Sequence, residues 1–219
     1  MAWGGLRQRQ ALGRVSLVLQ IEDYLPGFYQ EFPFVPRHLA PWEIVGRLRE
    51  ILTGDQPESG FAETSSGVWV HDRAIVEPGA VIKPPALIGD RCFVAATAYL
   101  RDGVGLGTGV RIGPGVEVEA SLVMSGATLA HLNFVGDSLI GRNANIEAGA
   151  VLANHWNERA DKTIAVMIDG RPVTTGVSKF GALVGNDCRI GANAVLAPGT
   201  LLRPDTIIGR LQLVDQGET

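Results

Sequence analysis

Aliphatic residues recur at every sixth position over most of the chain from Val70 onward. The pattern runs without a break to Met124, resumes at Phe134 after a slip of four residues, and returns at Val184 after a longer interruption. An amphipathic helix repeats every 3.6 residues and an ordinary strand every two, so neither produces a period of six. The 19 matching positions are Val70, Val76, Ile82, Ile88, Val94, Leu100, Leu106, Ile112, Val118, Met124, Phe134, Ile140, Ile146, Leu152, Val184, Ile190, Leu196, Leu202 and Ile208.

This hexapeptide period predicts an all-β fold, a left-handed parallel β-helix shaped as a triangular prism. Each repeat supplies one short strand and a turn, and three strands close one coil of about 18 residues. The aliphatic side chain points into the prism, and a small residue two positions earlier leaves room at the corner. We therefore expect about six coils between Val68 and Gly209. Crossovers between parallel strands are normally right-handed. We predict a left-handed helix here because the six-residue period is so regular.

Two segments lack the period. Residues 1–66 are predicted to form an irregular N-terminal segment with one amphipathic helix, Pro41 to Leu52, followed by a polar linker from Asp55 to Gly67. This segment would cap the strand edges at the end of the solenoid or contact another subunit. The second domain, residues 67–219, is interrupted at 154–181, where Asp169-Gly170 between two β-prone runs predicts a hairpin loop. Such a loop could reach a neighbouring subunit.

Composition narrows the possible functions. The net charge of −4 argues against a general nucleic-acid binder, and no apolar run is long enough to span a membrane. We identify no secretory signal at the N-terminus, where Arg7, Arg9 and Arg14 interrupt the apolar residues. Cys92 and Cys188 both fall on the small, inward position, so they are predicted to be buried structural thiols. We expect a soluble cytoplasmic protein.

His131 is the candidate catalytic residue. It lies where the period slips, in the stretch Ala130 to Ser138, and a repeat protein breaks its own pattern where function requires it. Histidine accepts a proton near neutral pH, so it can act as the general base for an amine or hydroxyl that attacks a thioester. The oxyanion that forms would need a backbone N–H donor, which a glycine-rich turn can offer.

The stretch from about Leu100 to Leu202 resembles the hexapeptide-repeat, left-handed β-helix acyltransferases. It is most similar to the acetyltransferase domain of N-acetylglucosamine-1-phosphate uridyltransferases and of archaeal sugar-phosphate nucleotidyltransferases, and the chain also resembles stand-alone LpxA-type transferases. The specific motif is His131 to Asp137, followed by Ala144-Asn145-Ile146, Ala148-Gly149 and Ala153-Asn154. The family's nucleotidyltransferase domain has no counterpart in the first 66 residues.

The resemblance implies roles for individual residues. His131 matches the catalytic base, Arg101 the arginine that holds a sugar phosphate, and Asn145 an asparagine on the sugar. Acetyl-coenzyme A, or another acyl-coenzyme A, would be the co-substrate, with no metal required. The active site would lie between the subunits of a homotrimer. The positions that match the coenzyme site are Ala148, Asn154, His155 and the loop lysine, Lys179.

The chain also departs from the family at several of these positions. Glu119 stands where the family has a second phosphate-binding lysine, and a carboxylate repels a phosphate. Phe134 replaces a tyrosine on the sugar, Ala192 replaces a serine near the coenzyme, and Glu147 replaces a glycine. We expect Glu119 and Glu147 near His131, where an acidic pocket would suit an amine or a neutral sugar.

These observations leave two readings. The first is a coenzyme-A-dependent acyltransferase, most simply an acetyltransferase, that acts on a sugar or a nucleotide-sugar-like acceptor with His131 as its base. The second is a non-catalytic trimeric module that binds a sugar nucleotide or acts as a scaffold. A β-helical zinc carbonic anhydrase would need three imidazoles on one metal, and His131 and His155 are 24 residues apart with no closely spaced pair in the chain.

Overall fold

The computed structural model describes residues 19–54, 57 and 59–217, so Arg7, Arg9 and Arg14 lie outside the described residues. A 3₁₀ helix (Ile21–Asp23) precedes three short α-helices: α1 (Phe28–Glu31), α2 (Pro41–Gly46) and α3 (Leu48–Thr53). The strands are β1 (Phe61–Ser65), β2 (Val68–His71), β3 (Ile75–Val76), β4 (Val81–Ile82), β5 (Ala86–Ile88), β6 (Phe93–Val94), β7 (Tyr99–Leu106), β8 (Arg111–Ile112), β9 (Glu117–Val123), β10 (Thr128–Leu129), β11 (Phe134–Gly136), β12 (Leu139–Ile140), β13 (Asn145–Ile146), β14 (Val151–Leu152), β15 (Ala165–Ile168), β16 (Arg171–Thr174), β17 (Ala182–Val184), β18 (Arg189–Ile190), β19 (Val195–Leu196), β20 (Thr200–Leu202), β21 (Ile207–Ile208) and β22 (Leu213–Val214).

The strands from β2 onward, apart from β15 and β16, wind into the predicted left-handed parallel β-helix. Its second face is a seven-stranded parallel sheet, β3-β6-β8-β10-β13-β18-β21. The first face stacks β2, β5, the end of β7, the end of β9, β12, β17 and β20. The third face stacks β4, the start of β7, the start of β9, β11, β14, β19 and β22. Seven strands lie on each face, one coil more than the period predicts.

The interior of the prism is a single aliphatic core, but two residues of the predicted set do not belong to it. Val123 and Val135 point inward, with Leu129 between them. Met124 and Phe134, which the period placed inside, face outward: Met124 is buried beneath the N-terminal segment, and Phe134 is half-buried on the third face. The prediction was wrong here because it carried the six-residue step through a corner that is one residue shorter.

All departures from the six-residue step lie at one corner, where the third face turns into the first. The inward positions are only five residues apart from Val118 to Val123 and from Val135 to Ile140, and the long insertion leaves the next coil at the same corner. Ala120 and Asp137 each adopt φ 43° in these shortened turns. His131 lies instead within a full step, Leu129 to Val135, so its predicted place at the slip is wrong.

Buried serines complete the two shortened turns. Ser121 Oγ donates to the Glu119 carbonyl at 2.6 Å and accepts the Ser138 N–H at 3.0 Å. Ser138 Oγ donates to the Gly136 carbonyl at 2.7 Å and accepts the Ala182 N–H at 3.0 Å. The shortened turns leave some backbone N–H and C=O groups out of register with the next coil. The two hydroxyls bond these groups, which would otherwise be buried without a partner.

The N-terminal segment packs along the first face of the prism. A second apolar cluster joins Leu25, Phe28 and Ile44 to the outward side chains of Leu122 and Leu139. The predicted single helix is divided into α2 and α3 at Arg47, which has φ −115° and ψ 9°. Glycine at the preceding position weakens a continuous helix by about 1 kcal/mol. The break lets both short helices turn apolar residues toward the sheet.

Part of the predicted linker is a strand. The strand β1 pairs antiparallel with β2 of the first coil, with Phe61 opposite His71. An unpaired strand edge is a site of unwanted association. The cap on this sheet edge is therefore β1, whereas the helices cover a side face.

The predicted hairpin is confirmed. The strands β15 and β16 pair antiparallel around Asp169-Gly170, with Ile168 opposite Arg171. Val166 and Ile168 are buried in the same cluster as the N-terminal segment. The insertion therefore packs on the first face of its own chain.

The predicted burial of both thiols is also confirmed. Cys92 and Cys188 lie in the core of the prism, and burial raises the pKa of Cys92 to about 11. In the described ranges, no helix has both the length and the apolar character needed to cross a membrane.

Candidate functional site

Polar side chains gather at the corner between the third and first faces, where the turns are shortened. Strand register stacks Arg101 of β7 on Glu119 of β9, and Glu119 on Gly136 of β11. The insertion begins and ends at the same corner and adds two further side chains. We call this group the corner network: Arg101, Glu119, Asp137, Asn154 and Lys179.

Glu119 lies at the centre of the corner network and has both carboxylate oxygens engaged. Its Oε1 accepts from Lys179 Nζ at 2.9 Å, and its Oε2 accepts from Arg101 at 3.0 Å and from Asn154 Nδ2 at 3.1 Å. Only 7% of the side chain is exposed. Burial by itself would raise the pKa of Glu119, but the bonds and charges of Lys179 and Arg101 outweigh it and the net direction is downward.

Asp137 is the second buried carboxyl group of the network. Asn154 Nδ2 donates to its Oδ2 at 2.6 Å. Burial raises the pKa of Asp137 to about 6, and the nearby charge of Glu119 pushes in the same direction while the Asn154 bond opposes it. Sequence reasoning assigned this residue no role. The available signal was its place at the end of the motif that runs from His131 to Asp137.

Arg101 is enclosed by carboxylates. Besides Glu119, it contacts Glu117 at 2.8 Å and Asp102 at 2.8 Å, and Asp102 in turn contacts Arg49 of α3 at 2.8 Å. The network therefore connects the prism to the N-terminal segment through a chain of ion pairs.

His131 lies at a different corner, between the second and third faces. Backbone hydrogen bonds stack this corner from coil to coil: the Gly149 N–H donates to the His131 carbonyl, and the Asn193 N–H to the Ala148 carbonyl, each at 2.9 Å. Ala148 and Ala192 therefore follow His131 along one edge of the prism, and the His131 imidazole is exposed. Glu147 also belongs to this edge, because its Oε2 accepts the Ala192 N–H at 2.9 Å.

The third face joins the two corners. Phe134 lies on it between His131 and Gly136, and the ring is so close to Gly136 that an added Cβ there would be 2.8 Å from Phe134 Cζ. His131 and Gly136 are five residues apart, and the last three residues of this stretch form β11. Asn145 lies on the second face, exposed and in register with Thr128 and Arg189.

The structure thus divides the residues predicted from the sequence into two groups. Glu119 is not beside His131 as expected, whereas Glu147 shares its edge. The coenzyme set is also divided, because Ala148 and Ala192 follow His131 and the other three lie at the opposite corner. The second group lies at the corner network and comprises Arg101, Glu119, Asn154, Lys179 and His155. The Nδ1 atom of His155 is 3.4 Å from Asn154 Oδ1.

In residues 19–54, 57 and 59–217, no group of three or more His, Cys, Asp or Glu side chains is arranged to hold a metal ion.

Comparison with known proteins places the repeat in a family context. A family model described as the hexapeptide repeat of succinyl-transferase matches residues 85–120 and 181–209. The predicted resemblance to hexapeptide-repeat acyltransferases is confirmed. The two matched segments precede and follow the insertion along the chain.

Among named relatives, a bifunctional protein GlmU from Methanococcus maripaludis is 33% identical over 99 residues, covering 45% of this chain and 23% of the relative. A bifunctional sugar-1-phosphate nucleotidylyltransferase/acetyltransferase from Sulfurisphaera tokodaii is 36% identical over 83 residues, covering 38% of this chain and 20% of the relative. The chain therefore spans less than a quarter of the length of these relatives.

Proposed function

We propose that the chain is a coenzyme-A-dependent acyltransferase, most simply an acetyltransferase, acting on a sugar or a nucleotide-sugar-like acceptor. The observation that carries the proposal is the exposed imidazole of His131 on a prism edge lined by small side chains, in a chain similar to bifunctional acetyltransferases. The proposal includes a cytoplasmic location and a homotrimer.

The proposed chemistry needs one proton acceptor in this chain. His131 removes the proton from the amine or hydroxyl of the acceptor as that group attacks the thioester carbonyl. The new bond to the acyl carbon forms while the carbon–sulfur bond breaks, and the proton passes from the imidazole to the departing thiolate of coenzyme A. A side chain in solvent, free to turn toward a bound substrate, suits this role.

The acceptor would lie along the third face. One end of that face carries His131, Phe134 lies in the middle, and the corner network with Arg101 and Glu119 forms the other end. The strand between the ends, β11, has three residues and a length of about 10 Å, which is room for at least one hexose. Asn145 is on the second face, so it would contact an acceptor that wraps around the His131 edge.

The coenzyme would use both corners, which is why the proposal needs a trimer. Ala148 and Ala192 leave a shallow strip below His131, where an extended pantetheine chain could lie. Asn154, His155 and Lys179 are too far around the same prism to border that strip. A second subunit that brings its insertion corner to the His131 edge of the first would complete the site.

A non-catalytic module that binds a sugar nucleotide or serves as a scaffold is the second candidate. It is favoured by one observation: both cations of the corner network are already held by carboxylates of this chain. A scaffold needs no free cation, whereas an enzyme acting on an anionic acceptor does.

The test compares His131→Ala with the wild type, using release of coenzyme A from acetyl-coenzyme A and a panel of amino sugars and nucleotide sugars. Loss of a positioned general base lowers kcat by about 10²–10⁴-fold, with folding and assembly unchanged because the side chain is outside the core. His38→Ala is the matched control, since His38 is also exposed but lies on the N-terminal segment. Equal rates for the two variants, or no turnover by the wild type, would favour the scaffold.

A further inference from the structure

The cations of the corner network are engaged within the chain. Lys179 Nζ bonds one oxygen of Glu119 at 2.9 Å, and Arg101 bonds the other at 3.0 Å. Arg101 directs its remaining nitrogens to Glu117 and Asp102. Glu119 therefore joins the two cations that an anionic ligand at this corner would need.

The charges at the corner do not favour an anion. The cationic groups are Arg49, Arg101 and Lys179, and the carboxyl groups facing them are Asp102, Glu117, Glu119 and Asp137. Positive charge is matched or exceeded by negative charge. A phosphate dianion placed against Arg101 would meet several carboxylates within a few ångströms, where repulsion is strong because the site is partly shielded from water.

Glu119 is also fixed in place. Its side chain is 7% exposed and accepts from three donors. A phosphate could displace it from Arg101 only by leaving a buried carboxylate without its partners, which is strongly unfavourable. Movement of Lys179, which is 56% exposed, would not help, because Arg101 and Asn154 would still hold the carboxylate.

We propose that Glu119 is a specificity-determining residue that excludes phosphate from this corner, so that the acyl acceptor is a neutral or amino sugar without a phosphate group there. This inference rests on the proposed function only in so far as it names an acyl acceptor. The exclusion of phosphate depends on the charges of the corner alone. The groups left accessible are the carboxylates of Glu117 and Asp102 and the ammonium of Lys179. Carboxylates accept from sugar hydroxyls or an ammonium group, and Lys179 donates to hydroxyl oxygens.

The first experiment measures binding of inorganic phosphate by calorimetry at low ionic strength to the wild type, Glu119→Gln and Glu77→Gln. The Glu119→Gln side chain keeps its size and one acceptor oxygen but removes the negative charge that holds Lys179 and one nitrogen of Arg101. We expect it to bind phosphate at least tenfold more tightly than the wild type. Glu77→Gln is the matched control: Glu77 is half-buried, accepts the Ala96 N–H at 2.7 Å and lies outside the network, so its phosphate affinity should equal that of the wild type.

The second experiment compares kcat/KM for an amino sugar and for its 1-phosphate. The wild type should prefer the unphosphorylated acceptor, and Glu119→Gln should reduce that preference at least tenfold. Phosphate binding by the wild type as tight as by Glu119→Gln, or a wild-type preference for the 1-phosphate, would overturn the inference. The wild-type preference between the two acceptors is measured without the variant, so it tests the inference even if Glu119→Gln does not fold. If no acceptor is turned over, the proposed function fails, and the phosphate titration still decides the inference.

Discussion

Asp137 and Glu119 are neighbouring buried carboxyl groups whose pKa values move in opposite directions. Both lose hydration, but Glu119 accepts from the charged groups of Lys179 and Arg101, whereas Asp137 accepts from the uncharged amide of Asn154. The pKa of Glu119 is therefore lowered while that of Asp137 rises to about 6. The partners, rather than burial alone, decide the direction.

Asp137 should make the protein less stable as the pH rises through the weakly acidic range. In the unfolded chain its carboxyl titrates near 3.9, so between about pH 4 and pH 6 the folded state holds a proton that the unfolded state has lost, and stability falls. Glu119 has the opposite effect, since its contribution is present above its unfolded pKa and is lost as the pH falls further.

Asp137→Asn should therefore stabilise the protein at pH 7.5 by about 2–3 kcal/mol relative to the wild type, because a raised pKa of about two units is removed. The difference should vanish near pH 4, where the wild-type carboxyl is also neutral. Urea unfolding at both pH values measures it. Asp169→Asn, at an exposed hairpin turn, serves as the control and should show no such pH dependence. A stabilisation equal at both pH values would contradict this account.

At the residue scale, the sequence and the family resemblance predict some of the residues that meet, but not where each of them lies. Arg101, Glu119, Asn154 and Lys179 were named and do meet, because strand register and the two ends of the insertion bring them to one corner. The sequence predicts that the period slips at His131, whereas the two shortened turns lie before and after it, at Ala120 and Asp137. A one-residue shortening inside a turn cannot be located from aliphatic spacing alone when a neighbouring residue, such as Met124, is also apolar.

The insertion is bound to the prism by Phe180, which is fully buried and lies edge-to-face against Trp42 at 5.9 Å between ring centroids. Its N–H donates to the Asn154 carbonyl at 2.9 Å, next to the corner network. Phe180 thus connects the insertion to α2 through its ring and to the corner through its backbone N–H. Packing at this contact holds Asn154 and Lys179 in position.

Phe180→Ala should reduce the free energy of unfolding by about 3–5 kcal/mol, the usual loss for a fully buried phenylalanine. Phe61→Ala is the control, since Phe61 is only half-buried on β1, and it should lose clearly less. Guanidinium unfolding at two protein concentrations measures both. If the insertion instead packed on a neighbouring subunit, the loss for Phe180→Ala would depend strongly on protein concentration.

Elements with a local signal were predictable, and elements fixed by distant contacts were not. The hairpin follows from Asp-Gly between β-prone runs, which is a property of the turn itself. The break between α2 and α3 and the pairing of β1 with β2 depend on what those segments pack against. The sequence predicts that the N-terminal segment caps the solenoid or contacts another subunit, whereas its apolar residues pack on a side face of the prism. The outward leucines of that face cannot be recognised from a period that marks only the inward positions.

For the whole molecule, the period of six was sufficient to predict the prism, because each coil repeats the same inward position. The proposed trimer follows from how the site is divided. The His131 edge and the corner network lie at opposite ends of the third face, and the first face is already covered by the chain's own helices and hairpin. Residues 19–54, 57 and 59–217 leave the second and third faces uncovered, so these faces are available for contacts between subunits.

Light scattering should therefore give a mass near 70 kDa, three times the 23.3 kDa of one chain. Leu132, which is 70% exposed beside His131, provides a variant: Leu132→Glu should weaken the assembly while each chain keeps its circular dichroism spectrum. Exposed Pro33, on the N-terminal segment that covers the first face, provides the control, and Pro33→Glu should leave the mass unchanged. A monomer for the wild type at micromolar concentration would exclude a site shared between subunits.

The confinement of every change in chain length to one corner makes that edge of the prism open to redesign. A residue removed from a strand would turn its neighbours to the opposite face, whereas the turns at Ala120 and Asp137 lose a residue and leave both adjoining sheets in register. The same edge also accommodates the hairpin insertion. Successive coils present this edge at intervals of about 4.8 Å, so peptide segments grafted there could be displayed side by side, on a support whose interior would not need to be repacked.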